Sequence, residues 1–117
     1  MPSYVPVMPS GSANGSLIQL TTSAQTLHDT TTSTTHMDEV FIWVCNTSAS
    51  DVLVTLEIEG TTVADEIQDT IPARAGFILM LPGGRFQDTV DIDGLAATTQ
   101  VCNALVIVNR ILLTDAL

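Results

Sequence analysis

Residues 52–59 alternate with a period of two: Val52, Val54, Leu56 and Ile58 fall on one side, and Leu53, Thr55, Glu57 and Glu59 on the other. An apolar face backed by a wetter one predicts a half-buried antiparallel strand. Residues 39–45 (EVFIWVC) are apolar on both sides, as expected of a central strand, and the polar Asn46–Asp51 stretch predicts a hairpin loop joining the two. Gly60-Thr61-Thr62 ends the second strand, and Ile67–Ile71 predicts a shorter one stopped by Pro72. Residues 75–81 (AGFILML) read as another buried strand, with Pro82-Gly83-Gly84 as the turn after it. Val90 and Ile92 alternate with Asp91 and Asp93, and Asp93-Gly94 reads as a turn dipeptide. Residues 101–112 predict the last long strand, and Leu17–Leu20 the first.

No stretch repeats apolar residues with the helical period between caps, while Thr, Val and Ile dominate and favour pleated sheet. About eight short strands predict an all-β fold: an antiparallel β-sandwich, jelly-roll-like, with Ile42, Val44, Val54, Leu56, Ile78, Val106 and Val108 in its core. The Thr-rich Thr21–Thr35 stretch fits either an irregular strand pair or an exposed loop. No fixed-period repeat is present.

Residues 1–16 (MPSYVPVMPSGSANGS) form a segment of their own before the expected 17–117 domain. Pro2, Pro6 and Pro9 forbid a helix, and Gly11 to Ser16 supply a hinge. Tyr4, Val5, Val7 and Met8 between them are apolar and gain nothing in water. The expectation is an extended N-terminal arm, with a reach of about 50 Å, that docks on a neighbour through those four residues; the plainer alternative is a frayed terminus.

The chain has 117 residues, enough for one domain, of which 45% are hydrophobic. Thirteen Asp and Glu face three arginines and no lysine, for a net charge of −10. Affinity for a nucleic-acid backbone comes from cations that displace counterions, so no nucleic-acid partner is expected. An anionic membrane surface is excluded on the same ground, and no apolar run approaches the roughly 18 residues of a spanning helix. The first residues carry no basic stretch leading into an apolar one, so no secretory leader is expected. Cys45 and Cys102 are too few for a disulfide scaffold and read as buried thiols or as one bridge between neighbouring strands.

Catalytic chemistry finds no footing. His28 and His36 lie near Asp29 and Asp38 without metal-ligand spacing, and read as solvated or structural. Cys45 has no neighbouring cation to make it a nucleophile. Asp91-Ile92-Asp93-Gly94 matches the start of a calcium loop but lacks its later ligands, and a hairpin turn is the simpler reading. Glu57 and Glu59 share a strand face, yet nothing predicts a sugar cleft around them. No Gly-x-Ser-x-Gly elbow occurs, and the Asn14-Gly15-Ser16 and Asn46-Thr47-Ser48 triplets matter only in a secreted chain. No catalytic, cofactor-binding or metal site is therefore expected. Arg74, Arg85 and Arg110 are each outnumbered by carboxylates and serve either local charge balance or pairing across a subunit interface.

The run Val44-Cys45-Asn46-Thr47-Ser48-Ala49-Ser50 leads into Val52–Glu59, Gly60-Thr61-Thr62 and Ile71-Pro72-Ala73, and closes with Val106-Ile107-Val108-Asn109-Arg110-Ile111. This order, over about residues 39 to 111, resembles small β-sandwich virion proteins of tailed bacteriophages and phage-like particles. The resemblance implies a non-enzymatic capsid cement or decoration protein, usually a homotrimer, made in the host cytoplasm and bound to the major capsid protein on the capsid surface of the virion. Contact through Tyr4, Val5, Val7, Met8, Arg74, Arg85 and Arg110 is expected on that reading. A tail-tip, fibre or head-spike component is the alternative. A carbohydrate-binding sandwich is less favoured, because Phe41 and Trp43 sit in a run expected to be buried.

Overall fold

The computed structural model describes residues 4–12 and 14–113. Residues 1–3 and 13 of the expected arm lie outside the described residues. Nine strands form two antiparallel sheets: β1 Tyr4–Val7, β2 Ile18–Gln19, β3 Gln25–Asp29, β4 His36–Asn46, β5 Val52–Ile58, β6 Glu66–Ile71, β7 Ile78–Phe86, β8 Asp91–Ala96 and β9 Cys102–Leu112. The first sheet runs β1-β9-β4-β7, with β2 also paired to β9; the second runs β3-β8-β5-β6. Pairs β2–β9, β3–β8, β4–β7 and β5–β6 nest inside one another. The chain is thus one long hairpin rolled up so that β4 meets β9 and β5 meets β8, which is a jelly roll.

Alternation decides which residues enter the core. Val40, Ile42 and Val44 of β4, Val52, Val54 and Leu56 of β5, Ile92 of β8, and Ala104, Val106 and Val108 of β9 meet between the sheets, joined by Leu20, Leu27 and Ile71. Of the expected core residues, six are buried, while Ile78, at the start of the edge strand β7, is half-buried against the cluster. Among the described residues Val63–Asp65 forms a 3-10 turn, and no helix is long and apolar enough to cross a membrane.

Three expected turns are placed differently. Asn46–Asp51 joins strands of opposite sheets, so it is a crossover and not a hairpin. The buried Asn46 side chain builds the corner: its Nδ2 donates to the carbonyls of Ser50 and Ile71, and its Oδ1 accepts from the Ser48 N–H and hydroxyl. Pro82-Gly83-Gly84 does not reverse the chain, because β7 continues through it to Phe86 with register shifts at Val40/Phe41 and Ile42/Trp43. An edge strand tolerates a missing N–H, and the bulge lets Gly83 (φ 87°) lie over the Phe41 ring. Asp93-Gly94 is likewise inside β8, with Gly94 buried opposite Leu56 because a Cβ there would press on Leu27. The reversal comes later, at residues 97–100. The Thr-rich stretch resolves into β3 and a loop over residues 30–35.

The N-terminal segment lies along its own domain. β1 extends the sheet edge, pairing Tyr4 with Ile111 through to Val7 with Val108, and Val7 packs on the core. Residues 9–12 then cross to the second sheet, where the Gly11 N–H donates to the Leu27 carbonyl (3.0 Å). Only glycine fits there, since a Cβ would collide with the Thr26 and Leu27 carbonyl oxygens. The chain returns to β9 as β2, so this excursion ties the two sheets at one edge.

Leu56 is fully buried between the sheets. Leu56→Ala should lower unfolding stability by about 2–5 kcal/mol in a urea titration, with the slope unchanged. A loss under about 1 kcal/mol would contradict this core.

Candidate docking surface

The two sheets divide the charge unequally. The strands of the first sheet carry Asp38 and Glu39 with Arg85 and Arg110, two carboxylates against two arginines. The strands of the second carry Asp29, Glu57, Glu66, Asp69, Asp91 and Asp93, six carboxylates with neither Lys nor Arg. Formal neutrality thus sits on one layer and −6 on the other.

Both pairs of the neutral sheet close within the chain. Arg85 Nη2 meets Glu39 Oε2 at 3.1 Å across β7 and β4, with half of the arginine side chain in water. Arg110 grips Asp38 with two donors, Nε to Oδ1 at 2.7 Å and Nη2 to Oδ2 at 3.1 Å. Asp38 is fully buried and also receives the Thr31 N–H and His28 Nε2, both at 2.9 Å. His28 Nδ1 accepts the Ser10 N–H at 3.0 Å, which places the ring proton on Nε2, facing the carboxylate. Burial alone would push the Asp38 carboxyl up, but hydrogen bonds from Arg110, His28 and Thr31 outweigh it and hold the carboxyl below its ordinary value. One carboxylate therefore joins β4, β9, β3, the loop after β3 and, through His28, the N-terminal segment.

With its charges paired, the outer face of this sheet is mostly apolar. Phe41 and Trp43 stack on it, ring centroids 5.8 Å apart and planes 16° apart. They are half-buried on the outside of the sandwich and not in its core, because Asp38, Val40, Ile42 and Val44 take the inward positions of β4. Leu105 and Ile107 of β9 flank Trp43 and Phe41 on one side, and Leu79 and Pro82 of β7 on the other. Ile107, Leu79 and Phe77 are each more than 40% exposed. Beside this face, a groove of about 400 Å³ lies between β9 and residues 6–9, where neither β1 nor β2 pairs with residues 105–107. Pro6, Val7, Met8, Pro9, Val106 and Ile107 line it.

The expected contact residues therefore divide. Tyr4 and Met8 are exposed beside this face, Val5 is exposed on the inward side of the edge strand β1 opposite Arg110, and Val7 on that same side packs on the core. Arg85 and Arg110 spend their guanidinium groups on Glu39 and Asp38. Arg74, at positive φ, reaches the Thr47 carbonyl at 3.4 Å. The polar core network was missed in the sequence. Its signal was the place of Asp38 on the inward row of β4, where every other residue up to Val44 is aliphatic.

The remaining candidates have structural places. His36 is half-buried beside the Ser33 and Thr35 hydroxyls. Cys45 and Cys102 are free. They sit on neighbouring strands, but Cys102 points into the core and Cys45 to the outer face, which excludes a bridge. Burial, then the nearby Cys45, raises the Cys102 thiol above its ordinary value. On the acidic sheet, a shared hydrogen bond with Asp91, then partial burial and the charges of Asp91 and Asp93, raise the Asp29 carboxyl. Desolvation first and Asp91 second raise Asp93. No protein-family model matches the chain, and no curated protein or solved structure matches it.

Two measurements follow from this charge layout. Arg110→Met strands a buried carboxylate and should cost about 2–4 kcal/mol, whereas Arg85→Met breaks an exposed pair and should cost under about 1 kcal/mol. Equal costs would mean that Asp38 is not the hub.

The second is the pH profile. Asp29 and Asp93 bind protons more readily folded than unfolded, so their contribution grows as pH falls through their raised native values. Asp38 has the opposite sign: its contribution is complete above the unfolded value of 3.8 and is lost as pH falls through its depressed native value. The thermal midpoint should rise on acidification from neutral pH, then fall below about pH 3.8. The Asp29→Asn/Asp93→Asn variant should lose most of the rise; a midpoint that only declines from pH 7 downward would refute the assignment.

Proposed function

We propose that this chain is a structural protein of a bacteriophage virion, a cement or decoration protein that adheres to the outer capsid surface and stabilises the shell. The observation that carries the reading is the two-faced sandwich: a charge-balanced, apolar outer face on one sheet and an unneutralised acidic face on the other. A protein that coats a particle needs one surface able to lose its water cheaply, and paired charges with exposed Ile107, Leu79 and Phe77 meet that need. The acidic sheet then faces solvent, where repulsion keeps free copies apart before assembly. A jelly roll is compatible with viral shells and with other roles, so the fold is support by analogy. The ordered run from Val44 to Ile111 that resembles phage virion proteins points the same way. Many weak contacts repeated over a shell add up to a large stabilisation, so no single copy needs high affinity.

On this reading the partner is the major capsid protein, which takes the apolar face, and the chain assembles as a homotrimer through the exposed edge residues Tyr4, Val5 and Met8. Like-charge repulsion between subunits makes the edge of the neutral sheet, away from the acidic one, the side on which copies approach one another. Quantitative mass spectrometry of purified particles should find hundreds of copies per virion. A handful would move the protein to a tail tip, fibre or head spike, and absence from particles would end the virion reading. Ile107→Asp, exposed on the apolar face, should leave the fold intact and lower capsid occupancy about tenfold or more; unchanged occupancy would place the contact elsewhere.

A further inference from the structure

The loop between β1 and β2 places an asparagine directly before a glycine, Asn14-Gly15. Asn14 is exposed, and its Oδ1 accepts the Ser16 N–H at 3.2 Å, which curls the carboxamide over the Gly15 peptide. Gly15 lies at φ 76°, and among the described residues its N–H has no hydrogen-bond partner. A Cβ at this position would meet the Met8 Sδ at 3.2 Å, so the loop needs glycine here, and glycine leaves its nitrogen uncovered.

The other asparagines are placed differently. After Asn46, the Thr47 N–H is spent on the Val101 carbonyl at 2.8 Å, and both ends of the Asn46 carboxamide are bonded. Asn103 and Asn109 lie inside β9, with β4 on one side and β2 or β1 on the other. The comparable Asp93-Gly94 pair lies within β8, with its glycine buried. In a paired strand the chain is extended and its peptide nitrogens are engaged in the ladder, so none can turn on the side chain before it.

We propose that Asn14 is a modification site, where the folded chain deamidates itself and gains a carboxylate. The Gly15 nitrogen loses its proton and bonds to the Asn14 Cγ. Negative charge gathers on Oδ1, where the Ser16 N–H already points, and a donor fixed at a developing oxyanion lowers the barrier. The bond from Cγ to Nδ2 then breaks, and Nδ2 takes up a proton and leaves as ammonia, which closes a cyclic imide. Water adds to either imide carbonyl and breaks its bond to nitrogen. The nitrogen regains its proton, and the products are aspartate or isoaspartate. The new carboxylate stands at the groove of about 400 Å³ that Asn14 and Gly15 line together with Pro6, Val7, Met8 and Pro9. Modification therefore brings an unpaired charge to the edge of the sheet whose own charges are paired. The isoaspartate product also lengthens the main chain by one carbon between the buried Ser12 and β2.

The test is to age the full chain at physiological temperature and mildly alkaline pH, and to follow each asparagine by mass-spectrometric peptide mapping. Asn14 should convert about tenfold or more faster than Asn46, Asn103 and Asn109. The folded chain should convert at Asn14 at least as fast as the chain unfolded in urea, because the Ser16 N–H is in place only in the folded loop. Aged protein should show a new, more acidic species on anion exchange. Asn14→Gln and Gly15→Ala should each slow conversion at residue 14 about tenfold or more. Asn14→Gln changes an exposed side chain, so it carries the test even where Gly15→Ala, strained at positive φ, fails to fold. Conversion at Asn14 no faster than at the other three asparagines would overturn the proposal. So would a folded chain that reacts several-fold more slowly than the unfolded one, or an Asn14→Gln chain that turns acidic as fast as the parent.

Discussion

A carboxylate shut away from water persists only if other groups replace its hydration, and Asp38 imposes that condition on five parts of the chain. Arg110 must reach it from β9, His28 from β3 and the Thr31 N–H from the loop between. His28 can donate to it only as the Nε2–H tautomer, and the Ser10 N–H on Nδ1 enforces that form. The N-terminal segment is therefore ordered by the same group that sets one end of the β4–β9 pairing. Shape selection inside the sandwich comes from aliphatic rows that tolerate some slippage. The Asp38 network does not tolerate it, because a one-residue shift of β4 would turn the carboxylate outward and leave His28 facing aliphatic carbon.

That network also decides how charge is spread. Of the three arginines, Arg110 is used inside and Arg85 on Glu39, while Arg74 lies at a loop and, among the described residues, meets no carboxylate. The first sheet is balanced, and nothing remains to balance the second. The two-faced character behind the proposed role is thus a consequence of cation scarcity combined with where two cations are spent.

Much of the fold was legible in the residues. The alternation of Val52–Ile58 and the long 101–112 run marked β5 and β9 almost to their ends, and the apolar 39–45 run marked β4, which begins three residues earlier at His36. The local turn rules failed where tertiary neighbours changed the energetics. Pro82-Gly83-Gly84 usually breaks a strand, but β7 is an edge strand with no partner awaiting the missing N–H, and Phe41 occupies the space that the glycine leaves. Asp93-Gly94 usually turns, but here the glycine sits under Leu27 and the aspartate beside Glu57. Asn46–Asp51 has hairpin length, yet its strands part to opposite sheets because Asn46 is anchored to the Ile71 carbonyl.

By itself, the sequence determined the class of the molecule: an all-β sandwich, strongly acidic, with an extended N-terminal segment. Period and composition carry that information, since they report which residues must leave water and which must stay. Only the tertiary structure decided that Phe41 and Trp43 lie on the outer face, that Arg85 and Arg110 are consumed within the chain, and that Glu57 is buried among carboxylates. Each of these depends on which strands become neighbours. Pairing across 72 positions, as between Asp38 and Arg110, is set by how the long hairpin rolls up and not by any pattern local to either residue.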